Sequence, residues 1–189
     1  MTQDKSVLRR HMRQQRRALA AEFRQRAAKS AAHHVHKISS WSKAKRVALY
    51  MAQDGELDTQ YLVAACRDAG KQLYLPVVAD DKSMEFAAWG PRGKLEVNRF
   101  GIQQPDRGAE RCAPDSLDIV AMPLVAWDAS GGRLGMGGGF YDRTFADVDG
   151  PVMVGIAYEM QQLRHIERDE WDIPMDFVVT ESALYQCRG

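Results

Sequence analysis

Apolar residues at Val7, Leu8, Met12, Leu19, Phe23, Ala27, Ala31, Val35 and Ile38 recur near helical spacing, with Arg and Gln filling the other face. This pattern predicts an amphipathic helix or helical pair broken near residues 19–22, so residues 1–40 read as a helical N-terminal segment. The run RVALYM (46–51) predicts a β-strand, AQDGE a loop, and residues 59–69 a helix with Asp58 as its N-cap and Gly70 as its C′ stop. QLYLPVV (72–78) predicts a second strand, giving residues 46–78 the proportions of a βαβ unit with parallel pairing.

Residues 84–89 predict a shorter strand, and the stretch 90–114, rich in Gly, Pro and charge, reads as irregular surface structure. The most apolar stretch, LDIVAMPLVAW (117–127), predicts one buried central strand, with Pro123 limiting its ladder toward one end. A glycine-rich turn follows, then a helix over 140–146, a buried strand over 152–158 and a last strand over 177–180. Strands separated by helices or long crossovers predict an α/β fold, a three-layer α/β/α sandwich with a mainly parallel central sheet in one domain spanning 1–189. Ligands of such folds bind beyond the carboxyl ends of the strands, where the glycine-rich turn lies.

Composition narrows the class. With 189 residues, 45% apolar and 27% charged, the chain fits a single soluble domain. Cys66, Cys112 and Cys187 are widely spaced without a C-x-x-C pattern, which excludes a zinc ribbon and points to reduced thiols. No stretch approaches the roughly 18 apolar residues of a membrane span, and the charged N-terminus lacks a signal-peptide core, so a cytoplasmic protein without a membrane partner is expected. The net charge of +1 conceals a polarity: residues 1–46 hold 13 of the 26 basic residues and two of the 25 acids, +11 against −10 for the remainder. Such a segment attracts phosphates or lies against the acidic body of its own domain.

The candidate chemistry centres on GGRLGMGGGFYDR (131–143), six glycines between a buried strand and a helix. Freed backbone N–H groups in such a turn converge on an anion at the helix N-terminus. It fits neither dinucleotide nor P-loop templates, since Phe140 stands where a third glycine would and no Gly-Lys-Ser/Thr closes it. Asp142, just inside the helix, and Asp176, before the last strand, are carboxylates suited to a metal held by nucleotide phosphates. Glu56 follows the first strand and has the chemistry to accept from heterocycle N–H groups, while Lys5 and Arg9, at i and i+4, share a helix face that suits a polyphosphate. His33, His34 and His36 lack acidic or thiol companions and are expected on a solvated helix; Trp41, Trp89 and Trp127 are expected to pack.

KSVLR (5–9), GELDT (55–59), RLGMGGGFYDR (133–143) and WDIP (171–174) together make the chain similar, over nearly its whole length, to the 5-formyltetrahydrofolate cyclo-ligases, or methenyltetrahydrofolate synthetases. The resemblance implies an α/β sandwich related to the isomerase and CoA-transferase folds. It implies ATP-dependent closure of 5-formyltetrahydrofolate, with or without a polyglutamyl tail, to 5,10-methenyltetrahydrofolate, releasing ADP and phosphate. A phosphorylated formyl (iminium phosphate) intermediate is part of that route, and no nucleophilic side chain is required.

By the same resemblance, Lys5 and Arg9 grip the ATP phosphates and Arg133, Leu134, Gly135, Met136, Gly137, Gly138, Gly139, Phe140 and Tyr141 form the nucleotide loop. Met51 and Glu56 bind the pterin end of folate, and Met136, Gly137, Gly138, Gly139 and Phe140 line the side where folate meets phosphate. Asp142 and Asp176 hold Mg²⁺, and Phe100 lies against the folate. Met136 and Gly138 stand where some relatives carry basic residues, and Phe140 replaces a tyrosine; Arg133, Arg143 or the N-terminal pair are the available cations. Neither nucleic acid nor an obligate protein partner is expected. The alternatives are a non-catalytic nucleotide- or RNA-binding protein using its basic first helix, and a sugar-phosphate isomerase or acyl transferase relying on Glu56 as a base.

Overall fold

The computed structural model describes residues 4–78, 83–99 and 101–187. Two helices open it, α1 (Lys5–Arg17) and α2 (Ala21–Val35), and the interruption between them falls at residues 18–20, where the apolar spacing predicts it. Asp4 caps α1 by accepting from the Ser6 amide at 2.8 Å. The βαβ unit follows as β1 (Arg46–Ala48), α3 (Gln60–Asp68) and β2 (Gln72–Val78), with β1 and β2 parallel. The α3 cap differs by one residue from the expectation. Thr59 is the capping position, its hydroxyl donating back to Tyr50 O at 2.9 Å, while Asp58 accepts from the Gln60 amide at 2.8 Å in a local turn.

The remaining elements are β3 (Met84–Ala88), β4 (Leu95–Val97), β5 (Gln103–Pro105), β6 (Arg111–Cys112), β7 (Ile119–Pro123), β8 (Ala126–Asp128) and β9 (Arg133–Leu134). Then come α4 (Phe140–Phe145), β10 (Val152–Ile156), β11 (Gln162–Leu163), β12 (Phe177–Val179) and β13 (Leu184–Gln186). Eight strands form the central sheet in the order β13-β12-β10-β7-β1-β2-β3-β6. The five from β12 to β2 are parallel, and β13, β3 and β6 add antiparallel edges.

Alternation along these strands builds two cores. Val47, Leu73, Leu75, Ile119, Ala121, Val154 and Ile156 pack against α2 and α3. Ala48, Tyr74, Val120, Met122, Met153 and Val178 point the other way, toward Phe145 of α4 and the buried Trp127. Each fully buried Leu, Ile or Val contributes about 1.5–3 kcal/mol, so this period-two pattern dictates which face each helix covers. The three-layer α/β arrangement expected from the sequence is present.

Two local expectations change. Residues 117–127 are not one strand. The chain leaves the central sheet after Pro123, which has no N–H to extend the ladder, and β8 joins a separate three-stranded sheet, β11-β8-β9. Trp127 and Ala126 are as buried as Val120, so hydropathy alone could not reveal the division. The stretch 90–114 is not wholly irregular either, because β4 and β5 form an antiparallel pair and β6 pairs with β3. Among the described residues, no helix is long and apolar enough to cross a membrane.

Candidate active site

The loop after β1 is drawn against the end of α1. Asp54 and Gly55 both have positive φ, 54° and 75°. A Cβ at Gly55 would lie 3.3 Å from both Arg16 O and Arg17 Cα, so glycine permits the close approach. Asp54 binds three arginines of α1: Arg13 Nε at 2.7 Å, Arg16 Nη2 at 2.9 Å, and Arg17. Arg16 is fully buried and also donates to the main-chain carbonyls of Asp54 and Leu124, at 2.9 and 3.2 Å.

Glu56 follows directly, with 11% of its side chain exposed. Its Oε2 accepts from the Gln53 amide at 3.0 Å, and its Oε1 stands 3.6 Å from Arg16 Nη2. Burial raises its pKa, against the opposing pull of the Gln53 amide, Arg16 and Arg13. Tyr50 and Tyr158 close this pocket and are held in neutral form chiefly by burial; Tyr50 donates to Leu57 O at 2.8 Å. Met51 lies half-buried on the core beneath them. An open groove of about 550 Å³, lined by Arg24, Gln25, Gln53, Glu56, Gln60 and Tyr158 among others, leads away from Glu56.

The glycine loop is anchored below and cationic above. Asp128, at the end of β8 and 1% exposed, accepts from the Ser130 and Gly132 amides, both at 2.9 Å, the Ser130 hydroxyl at 2.7 Å and the Ile166 amide at 2.7 Å. Burial pushes its pKa up, but these donors outweigh burial and hold it below the ordinary carboxylate value. Leu134 packs with Met12 of α1, Val125 and Ile166, so it underpins the loop, whereas Met136 is half exposed at its tip. Arg9 reaches over the loop and donates to Gly135 O at 2.8 Å, and its guanidinium borders the space above Gly137. Arg143 bonds the Gly138 carbonyl, and Phe140 folds so tightly over Gly138 that a Cβ there would meet the ring at 2.5 Å.

Arg133 and Asp142 form a largely buried ion pair, and Asp142 also accepts from the Ile173 amide at 3.1 Å. The Nε of Arg133 is buried without a partner, an orphaned donor beside the glycine loop. Asp176 Oδ2 accepts from the Met153 amide at 2.7 Å. The short segment 173–175 before it carries both the amide that binds Asp142 and the Met175 amide that binds Gly131 O at 2.9 Å. That segment ties the two candidate metal carboxylates to the base of the loop.

Tyr141 joins the two halves: its hydroxyl is kept neutral chiefly by burial, with Glu56 adding to the effect and Arg133 opposing it. The structure therefore brings Arg9, Arg133, Asp142, Tyr141 and the glycines together, with Glu56 near enough to act on the Tyr141 hydroxyl. Lys5 instead pairs with Asp169 at 3.0 Å and, more distantly, Asp172 at 4.0 Å. Phe100 lies outside the described residues. His33 and His36 are solvent-exposed, as expected, but His34 is half-buried, its Nδ1 3.1 Å from the Thr180 carbonyl oxygen, because that side of α2 faces the end of β12. Arg16, Asp54 and Asp128 escaped the sequence reading. One signal was available for Arg16: Leu8, Met12, Arg16 and Leu19 follow i, i+4, i+8, i+11, which puts an arginine on the apolar stripe.

A sequence model of the 5-formyltetrahydrofolate cyclo-ligase family matches residues 1–181. The chain is 39% identical over 180 residues to the 5-formyltetrahydrofolate cyclo-ligase of Escherichia coli strain K12, covering 93% of this chain and 99% of that one. It is 35% identical over 179 residues to that of Haemophilus influenzae, covering 92% and 96%. The solution structure of Aquifex aeolicus 5,10-methenyltetrahydrofolate synthetase superposes with a TM-score of 0.85 at 36% identity, covering 98% of this chain and 93% of that one.

Proposed function

The chain belongs to the 5-formyltetrahydrofolate cyclo-ligase family of ligases, and from that premise we propose that it closes 5-formyltetrahydrofolate to 5,10-methenyltetrahydrofolate, using ATP and Mg²⁺ and releasing ADP and phosphate. The observation that carries this reading is the convergence of Arg9, Arg133 and Asp142 on the glycine loop, with the largely buried Glu56 near enough to act on the Tyr141 hydroxyl behind that loop.

Glu56 accepts from the pterin N–H groups, with Met51 beside the ring. The formyl oxygen is then presented to the nucleotide across the loop formed by Met136, Gly137, Gly138, Gly139 and Phe140. That oxygen attacks the γ-phosphorus as the bond to the β-phosphate breaks and ADP leaves, giving a phosphorylated iminium. N10 adds to the activated carbon and loses its proton, and phosphate departs with the C–O bonding pair. Positioning and charge neutralisation suffice for such a transfer, which is why no nucleophilic side chain is needed.

The residues present fit the phosphates and the metal. The Arg133 Nε is a buried donor without a partner, Gly137 and Gly139 turn the loop with left-handed φ of 95° and 64°, and Arg9 and Arg143 border the same loop. Lys5 would join them by exchanging Asp169 for a phosphate, the two carboxylates near it being exposed enough to release it. Asp142 and Asp176 supply the hard oxygen donors that Mg²⁺ takes, one or two carboxylates alongside substrate phosphates. When bound there, Mg²⁺ would neutralise charge on the phosphate oxygens.

The test is the near-ultraviolet absorbance of the methenyl product from purified protein, 5-formyltetrahydrofolate and ATP, with and without Mg²⁺. A rise that needs both ATP and Mg²⁺, with ADP formed in step, is the expected result. No rise and no ADP from folded protein, beside an active cyclo-ligase control, would reject the activity.

A further inference from the structure

Arg16 is the one arginine among five on α1 that the fold buries completely, and the cost of burying a guanidinium demands several partners. It has them, all from loops beyond the strand ends: Asp54 through carbonyl and carboxylate, the Leu124 carbonyl, and Glu56 at 3.6 Å. The same helix carries Lys5 and Arg9, and Arg9 is bonded to the glycine loop. We propose that Arg16 is a positioning residue for folate recognition: it holds the Glu56 carboxylate ionised and in place, and it docks the phosphate-binding helix onto the folate-binding loop. This rests on the reading that Glu56 binds folate.

Glu56 is faced by Arg13 and Arg16 from α1, by Tyr50 from the segment after β1, by Tyr141 from α4 and by Tyr158 from the segment after β10, with Asp54 and Asp58 on its own loop and Glu22 and Arg24 of α2 lining the open groove beyond it. None of the tyrosines donates its hydroxyl to the Glu56 carboxylate; Tyr158 reaches only its carbonyl, at 3.4 Å. Burial already favours the protonated acid, so the nearby guanidiniums decide how far toward neutral pH the group remains charged. Both Arg13 and Arg16 also bind Asp54, but Arg13 is a third exposed and therefore screened by solvent, whereas Arg16 is fully buried and stands 3.6 Å from the Glu56 carboxylate.

The experiment is calorimetric titration of 5-formyltetrahydrofolate, without ATP, into wild type, Arg16→Gln, Arg16→Lys and Glu56→Gln between pH 5 and 8, with thermal melts alongside. Removing an opposite charge at this range moves a carboxylate by about one pH unit, so Arg16→Gln should shift the acidic limb of folate affinity upward by about that much and weaken binding about tenfold on the limb. Arg16→Lys keeps the charge and should keep the limb within a few tenths of a unit of wild type. A folded Arg16→Gln with an unmoved limb, or equal losses in both Arg16 variants with no shift, would overturn the proposal. If Arg16→Gln does not fold, the paired variant Arg16→Gln/Asp54→Asn, which removes the stranded partner charge, is judged by the same limb. Wild-type affinity in Glu56→Gln would instead sink the assignment of Glu56 itself.

Discussion

Arg9 donates from Nε to the carbonyl of Gly135 at 2.8 Å, joining residues 126 apart in sequence. The contact lays the first helix along the rim of the glycine loop, and a guanidinium so placed stands ready for a phosphate while costing the loop no amide donor.

Replacing Arg9 with Ala should therefore act on the nucleotide. A charge-assisted hydrogen bond contributes about 1.5–3 kcal/mol, so the KM for ATP should rise roughly 10- to 100-fold while the KM for folate changes little. Steady-state kinetics with each substrate varied separately would decide it, and an unchanged ATP KM would remove Arg9 from the phosphate site.

Asp142→Asn keeps an oxygen for the Ile173 amide and for Arg133 but loses the charge that attracts a metal. Turnover should fall by at least tenfold and require more Mg²⁺, with the melting temperature shifted by only a few degrees. Asp176→Asn is expected to raise the Mg²⁺ requirement as well. Normal magnesium-dependent turnover in either variant would count against that residue as a ligand.

Gly131 has φ of 89°, and a Cβ there would lie 2.6 Å from the Met175 carbonyl oxygen, which is backbone and cannot swing aside. Gly131→Ala should cost about 2 kcal/mol or more from the combined strain and overlap. At Gly135 the nearest atom is the tip of the Arg133 side chain at 3.4 Å, so Gly135→Ala should stay within about 0.5 kcal/mol. Denaturant melts of the pair would contradict this account if the two variants were equally stable.

Asp128 gives a pH signature. Its folded-state pKa lies below the ordinary value, so its contribution is complete above the unfolded carboxylate pKa of about 3.9 and is lost as pH falls through the lower folded value. Asp128→Ala leaves the Ser130, Gly132 and Ile166 amides without their acceptor and should destabilise the protein by about 2–4 kcal/mol at neutral pH. The stability gap between variant and wild type should narrow in acid. A gap that stays constant from pH 7 to pH 3 would show that the charge of Asp128 has no part in it.

What the chain declares locally is considerable. Helical spacing from Val7 to Ile38 specifies α1, α2 and the break between them, because an apolar stripe exists only in one periodicity. Strand, helix and strand over 46–78 declare the parallel core in the same way, with Gly70 marking the end of α3. The glycine turn with Tyr141 and Asp142 behind it, and the acid at Glu56, were visible because their residue types carry chemistry wherever they sit.

Tertiary structure alone decided the rest. Residues 117–127 are apolar throughout because β7 is buried in one sheet and β8 in another, and burial on every side erases the alternation that would mark the boundary. The β4–β5 pair is three residues long in each strand, with Val97 exposed, too short and too polar to show a period. Asp128 could be any turn acid until Ile166, 38 residues away, turns its amide toward it. Five arginines crowd α1, and helical spacing sets Arg16 on the apolar side but cannot supply the Asp54, Glu56 and Leu124 oxygens that make its burial possible. Local periodicity reports which side of an element is covered; the partners that compensate a buried charge come from distant loops, and only the folded chain brings them there.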